Sequence, residues 1–151
     1  TVIRYVKYLE ETYLIFMVDY FSYSSKAVLQ KEKKVYVIDT GLKNAISNPD
    51  DEPVLVENVV FTHLKRHFGD VSYWRDNVEV DFVVMRDNVL LPIEVKYQNS
   101  IGKSDIKAVL RFCERFNVST GVMVTRNDFR REKIEGIDVW FIPVWLFIAL
   151  I

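Results

Sequence analysis

The tetrapeptide "RDNV" occurs twice in this chain, at positions 75–78 and 86–89, and each copy separates two apolar segments. The segments "VSYW", "VEVDFVVM" and "VLLPIEVKYQ" are rich in the β-branched and aromatic residues that are typical of strands. Asp and Asn tolerate the backbone geometry of tight turns. The pattern therefore predicts three consecutive strands joined by short turns, which is an antiparallel meander.

Helices are predicted on both sides of the meander. The segment "PVLVENVVFTHLKRHF" begins with Pro53, a residue that suits the start of a helix. A second helix is predicted from Ser104, as its cap, to about Phe116. Its expected buried stripe consists of Ile106, Val109, Leu110 and Cys113. The segments "TGVMVT" and "VWFIPV" then read as strands, so the order α-β-β-β-α-β predicts an α/β fold with a mixed central sheet flanked by helices.

The N-terminal third has a different pattern. The segment "TVIRYVKYLEETYLI" has the spacing of an amphipathic helix, and "YLIFMVDYFSY" and "KKVYVIDTGL" read as two strands. A basic stretch joins them and runs into the start of the second strand; it contains Lys26, Lys31, Lys33 and Lys34 and is interpreted as a solvated loop. The polar stretch 47–52 is typical of a boundary. We therefore expect one unit over 1–47 and a second over 53–151.

Charge and cysteine content restrict the class of protein. With a formal net charge of -1, the chain lacks the overall basic character of a strong nucleic-acid binder. Cys113 is the only cysteine, which favours a reducing compartment and predicts a cytoplasmic protein. The most apolar stretch, 139–151, is interrupted by Pro143, so no membrane span is expected. Because the first residue is Thr1, we expect a piece of a larger protein.

Two neighbouring strands are predicted to present carboxylates on one face of the sheet. Side chains alternate across a strand. In the last strand of the meander this separates an apolar set (Ile93, Val95, Tyr97) from a polar set (Glu94, Lys96, Gln98). In the preceding strand it separates Val80, Phe82 and Val84 from Glu79 and Asp81. Since helices should cover the sheet, a carboxylate on a covered face needs a partner or a metal ion.

A third carboxylate is expected to approach from the first helix. Glu57 lies on the same helical stripe as Phe61, Leu64 and Phe68, where an apolar residue would be expected. Carboxylate oxygens suit Mg²⁺ or Mn²⁺, so we expect Asp81 and Glu94 to bind a metal ion, with Glu57 either completing its shell or holding a second ion. Lys96 is then placed to orient a water or to stabilise charge on a phosphate.

These four residues resemble a known pattern. A Glu on a helix, an Asp on a strand and Glu-x-Lys on the next strand are typical of the PD-(D/E)XK nuclease superfamily, which includes restriction endonucleases and archaeal Holliday-junction resolvases. The matching positions are Glu57, Asp81, Glu94 and Lys96, and Val80 stands where the superfamily usually has Pro. The resemblance implies a restriction-endonuclease-like core and catalysis by these four residues with Mg²⁺ or Mn²⁺.

A second resemblance covers nearly the whole chain. The segments "RYVKYLEETYLI", "KKVYVIDTGL", "ENVVFTHL", "YWRDNVEVDFVV" and "PIEVKY" resemble the C-terminal region of a prokaryotic AAA-type ATPase family. The resemblance implies that 1–47 ends a winged helix and that 53–151 is a nuclease-like domain. It also implies DNA and an upstream ATPase module of the same polypeptide as partners, with oligomers possible. No ATPase site is expected in this chain, because the "GKS" at 102–104 lacks the preceding glycine of a P-loop.

Three functions are compatible with the sequence. The first is a nuclease domain that depends on a divalent metal ion and acts on DNA. The second is a non-catalytic platform that binds nucleic acid or protein for the upstream ATPase, because a fold does not guarantee an activity. In the third, the charged residues have a structural role only: a buried ion pair between Glu57 and Lys96 fixes the helix on the sheet.

Overall fold

The computed structural model describes residues 1–46 and 51–151. Its helices are α1 (Val2–Glu11), α2 (Ser25–Gln30), α3 (Thr40–Ile46), α4 (Glu52–Phe68), α5 (Lys103–Phe116) and α6 (Val144–Leu150). Its strands are β1 (Ile15–Tyr20), β2 (Lys34–Val37), β3 (Ser72–Arg75), β4 (Glu79–Arg86), β5 (Val89–Lys96), β6 (Thr120–Thr125), β7 (Arg130–Ile134) and β8 (Ile137–Pro143). The strands form one mixed sheet in the order β2-β1-β3-β4-β5-β6-β8-β7. The protein is therefore a mixed α/β fold with helices against an eight-stranded sheet.

The predicted meander is confirmed. Strand β3 pairs antiparallel with β4, and β4 pairs antiparallel with β5. The turn between β4 and β5 has positive φ angles of 51° at Asp87 and 62° at Asn88, which these residue types tolerate. Helix α5 then crosses over to β6, which pairs parallel with β5. The predicted order α-β-β-β-α-β is thus present from α4 to β6.

The N-terminal region contains two helices that were not predicted. The predicted first helix is α1, and the two predicted strands are β1 and β2, which pair antiparallel. However, α2 interrupts the basic stretch that was interpreted as a loop, and α3 begins where a strand end was expected. Ser24 caps α2 by accepting a hydrogen bond from the Ala27 N–H at 3.4 Å. Of the expected boundary at 47–52, residues 47–50 lie outside the described residues.

The N-terminal strands continue the main sheet. Strand β1 pairs parallel with β3 through Asp19 opposite Ser72 and Tyr20 opposite Tyr73. This parallel pairing is short, and it places β2 at one edge of the sheet. From the start of β2, the long side chain of Lys34 reaches Asp81, the predicted site residue of β4.

A register shift in β4 changes which side chains of this strand share a face of the sheet. Ser72 lies opposite Val83 and Trp74 lies opposite Val80, so β4 has an extra residue between these pairs. Val80 consequently packs in the same cluster as Val83, against α5, whereas Phe82 packs with the core beside α4. The expectation that Val80 shares a face with Phe82 was wrong, because simple alternation fails at a bulge.

The C-terminal part also differs from the prediction at three places. Helix α5 begins at Lys103, and the Asp105 carboxylate accepts the Gly102 N–H at 2.8 Å, so the prediction of Ser104 as the cap was wrong. Strand β7 and helix α6 were not predicted. The expected burial of Cys113 is confirmed. Within the described ranges, no helix is both long enough and apolar enough to cross a membrane.

Candidate functional site

Strands β4 and β5 separate where the predicted site residues lie. Their regular pairing runs from Arg86 opposite Val89 to Phe82 opposite Ile93. Beyond that point, backbone N–H groups of each strand donate to side-chain carboxylates of the other strand instead of to its backbone carbonyls. The Asp81 N–H donates to Glu94 Oε2 at 3.2 Å, and the Val95 N–H donates to Asp81 Oδ2 at 2.9 Å. Each carboxylate therefore holds the opposite strand, and we call this point of separation, between Asp81 and Glu94, the fork.

Both carboxylates are buried, and burial is the main reason that their pKa values are high. Asp81 is 9% exposed and Glu94 is 3% exposed. Desolvation, followed by the negative charge of Glu57, raises the pKa of Asp81 to about 6. Desolvation, followed by the charge of Asp81, raises the pKa of Glu94 to about 8. Negative charge at the fork is therefore only partly compensated by the surrounding protein.

Lys96 is the cation on the β5 side of the fork. Its Nζ lies 2.7 Å from Glu94 Oε1. Burial lowers the pKa of Lys96, but the charge and hydrogen bond of Glu94, together with the charges of Asp81 and Asp105, outweigh this effect and the net pKa is raised. The pair borders a cleft of about 350 Å³, which is lined by Val78, Glu79, Asp81, Glu94, Lys96, Ser104, Asp105 and Ala108. The start of α5 thus forms one wall of the site.

Lys34 is a second cation, and it was not predicted. Its Nζ lies 2.5 Å from Glu79 Oε1, 3.4 Å from Asp81 Oδ1 and 3.7 Å from Glu57 Oε1. Its side chain is only 18% exposed. Burial lowers the pKa of Lys34, but Asp81 and the other two carboxylates outweigh this effect and the net pKa is raised. The interpretation of Lys34 as part of a solvated loop was therefore wrong.

Tyr36 holds the carboxylate of Glu57. The tyrosine hydroxyl donates to Glu57 Oε1 at 2.6 Å, and its ring stacks on Phe61 with centroids 4.4 Å apart. Burial and the charge of Glu57 both raise the pKa of Tyr36, so the hydroxyl stays a donor. Lys34 and Tyr36 are two residues apart on β2, and this spacing was the sequence signal that could have placed both on one face.

The structure brings the four predicted residues into one region, but their ion pairs differ from the structural pair between Glu57 and Lys96 that was one of the three alternatives. Lys96 pairs with Glu94, whereas Glu57 pairs with Lys34. The expected ion pair between Glu57 and Lys96 was therefore wrong. Gln98, from the predicted polar set of β5, donates its amide to Asp105 at 2.9 Å in the wall of the cleft.

The predicted metal ligands are not assembled as a set of three. In the part of the chain that the structure describes, no group of three or more His, Cys, Asp and Glu side chains could hold a metal ion. Asp81 and Glu94 are adjacent, but Lys34 lies between Asp81 and Glu57. The assignment of Glu57, Asp81 and Glu94 to a metal ion stays a prediction.

Comparison with known proteins gives two family matches and two relatives. Residues 1–52 match the domain of unknown function DUF8612, and residues 54–147 match the domain of unknown function DUF4143. An uncharacterised protein of Methanocaldococcus jannaschii is 32% identical over 94% of this chain and 34% of its own length. An uncharacterised protein of Haemophilus influenzae is 23% identical over 97% of this chain and 36% of its own length. The chain thus spans about a third of each relative. Because the DUF4143 match covers more than half of its residues, the chain belongs to the DUF4143 family.

Proposed function

We propose that this chain is a nuclease-like, DNA-binding domain that hydrolyses phosphodiester bonds with a divalent cation held by Asp81 and Glu94. The observation that carries the proposal is the fork itself. Two buried carboxylates lie together on separating strands, with Lys96 beside them and a cleft in front. This arrangement supports the restriction-endonuclease-like core that the order from α4 to β6 suggests.

The donor set fits Mg²⁺ or Mn²⁺ even without a third carboxylate. Mg²⁺ in proteins commonly takes one or two carboxylates and fills its remaining positions with waters and phosphate oxygens. Asp81 and Glu94 supply two carboxylates whose burial keeps their charge poorly compensated. A bound divalent cation would polarise a phosphodiester and lower the pKa of a coordinated water.

The remaining residues have separate roles in this proposal. Lys96, paired with Glu94 at 2.7 Å, is placed to stabilise negative charge on the phosphate under attack. Glu57 is fixed by the Tyr36 hydroxyl and adds negative charge beside Asp81. Asp105, at the start of α5, lines the other wall of the cleft.

The wider setting of the domain is also part of the proposal. The chain covers about a third of its two relatives, so most of each relative lies outside the matched region. This supports a larger polypeptide, and the resemblance of the sequence to the AAA-type ATPase family leads us to place an ATPase module before the present chain. The unit over 1–47 would then end a winged helix that connects the module to the nuclease-like domain.

A non-catalytic platform is the second candidate, and one observation favours it. Among the described residues, every buried side-chain nitrogen or oxygen has a hydrogen-bond partner, so the site is satisfied without a ligand. A platform of this kind would bind DNA or protein for the ATPase and would not need a cation at Asp81.

A cleavage assay separates the two candidates. Linear, supercoiled and branched DNA would be incubated with the native chain in Mg²⁺ or Mn²⁺, beside Asp81→Asn, Lys96→Ala and the exposed control Lys107→Ala. The proposal expects cleavage by the native chain and the control, and a loss of about 100-fold or more in the two site variants. DNA binding without cleavage would favour the platform. If the native chain neither binds nor cleaves DNA, both the nuclease and a DNA-binding platform are refuted.

A further inference from the structure

Lys34 links β2 to the acidic side chains of the site. Three carboxylates from two different elements surround its ammonium group: Glu57 of α4 and Glu79 and Asp81 of β4. A lysine that is this buried is normally found paired. Here the pairing crosses from the N-terminal strands to the elements of the proposed site.

The oxygens of Asp81 are both occupied in this arrangement. Oδ2 accepts the Val95 N–H at 2.9 Å, and Oδ1 lies 3.4 Å from Lys34 Nζ. A divalent cation at Asp81 would have to approach Oδ1, because Oδ2 is held within the fork between the strands. The ion and the ammonium group would then compete for the same oxygen, and their like charges would repel.

We propose that Lys34 is a built-in counter-ion that competes with a divalent cation for Asp81, so that the cation binds fully only when the Lys34 side chain withdraws. The inference rests on the proposed function, because it assumes that Asp81 and Glu94 take a metal ion. It adds that the N-terminal strand β2 controls access to that ion.

The neighbours of Lys34 fit such control. Strand β2 lies at the edge of the sheet, and β1 reaches β3 through only two residue pairs. Asn58 of α4 holds Val37 of β2 by two hydrogen bonds, and Tyr36 holds Glu57. In this proposal the contacts of Asn58 and Tyr36, and not the short pairing of β1 with β3, fix the backbone of β2, so that only the Lys34 side chain changes partners.

The test is Mn²⁺ binding to the whole chain, measured by titration calorimetry. Lys34→Met is compared with the native chain and with Lys33→Met, whose lysine is half-exposed and pairs with Asp19 at 2.9 Å. We expect Lys34→Met to bind Mn²⁺ roughly tenfold more tightly, because one competing positive charge is removed. Lys33→Met should bind as the native chain does, and Asp81→Asn should abolish binding in either background.

Two further measurements keep the inference falsifiable. Lys34→Gln repeats the comparison if the methionine variant does not fold. In the native chain with ¹⁵N-labelled lysine, Mg²⁺ should shift the NMR signal of the Lys34 ammonium group and leave that of Lys33 unchanged.

Equal or weaker Mn²⁺ binding by both Lys34 variants would overturn the inference but leave the metal site intact. No Mn²⁺ binding by any chain would overturn the inference and the proposed metal-dependent function together. Tighter binding without DNA cleavage would support the inference alone.

Discussion

The backbone N–H of Asp81 donates a hydrogen bond of 3.2 Å to Oε2 of Glu94, on the neighbouring strand. The bond ties the two acids together at the point where β4 and β5 separate. A change in the charge of Glu94 therefore acts directly on the conformation of the fork. For this reason the fork should respond both to pH and to substitution of Glu94.

The stability of the chain without metal should fall as the pH rises from about 5 to about 8. The pKa values of Asp81 and Glu94 are raised in the folded state, so the folded chain binds more protons than the unfolded chain in this range. Stability is therefore greatest at the lower pH and is lost as these groups ionise. We expect a loss on the order of 1–3 kcal/mol, measured by urea denaturation in the presence of a chelator. A rise in stability over this range would contradict the prediction.

Glu94→Gln should stabilise the chain at pH 8 while it weakens any metal binding. The amide oxygen can still accept the Asp81 N–H, and the neutral side chain avoids the cost of a buried charge. Lys96 loses its partner but is 34% exposed and can reach solvent. We expect a gain of about 1 kcal/mol by denaturation at pH 8 and a smaller gain at pH 5. Glu114→Gln, at an exposed position of α5, is the control and should change neither value.

Asn58→Ala should destabilise the chain and loosen β2. The Asn58 side chain accepts the Val37 N–H at 3.0 Å and donates to the Val37 carbonyl at 2.8 Å, and it is 1% exposed. Without the amide, two backbone groups lose partners, which costs on the order of 1–3 kcal/mol. Hydrogen exchange at the Val37 amide should rise as well. Arg66→Ala, on the exposed side of the same helix, should leave both measurements unchanged.

The parts of the fold that were predictable are those with strong local signals. The two "RDNV" turns located the meander, and the stripe of Glu57, Phe61 and Leu64 located the helix before it. Alternation correctly separated Ile93 and Val95 from Glu94. These features depend on residues that are close together in the sequence, so their pattern is visible without a structure.

The features that were missed depend on distant residues or carry a weak pattern. Lys34 is buried only because Glu57, Glu79 and Asp81 meet it, and they lie far from it in sequence. The alternation at Val80 failed because the register shift depends on the partner strand β3. Strand β7 has the polar sequence "RREKI", and α6 is a short apolar segment that suits a strand equally well.

The final prediction concerns Gly121, where α5 approaches β6 closely enough to exclude a side chain. A Cβ at Gly121 would lie 2.2 Å from Cγ1 of Val109, a contact that requires the helix or the valine to move. Replacing a glycine by alanine usually stabilises slightly through the unfolded state, so the clash decides the sign here. Gly121→Ala should cost about 1–3 kcal/mol in denaturation experiments.

A second substitution tests whether the clash is the cause. Val109→Ala alone should cost roughly 1–3 kcal/mol because it leaves a cavity. In the double variant the alanine at position 121 would fill part of that cavity, so the combined cost should be smaller than the sum of the two. Gly102→Ala is the control: its nearest contact would be an ordinary 3.6 Å, so it should cost only the loss of a favourable cap residue at the start of α5, less than Gly121→Ala. Additive costs in the double variant would show that the two positions do not interact, so the clash with Val109 would not be the cause of the lost stability.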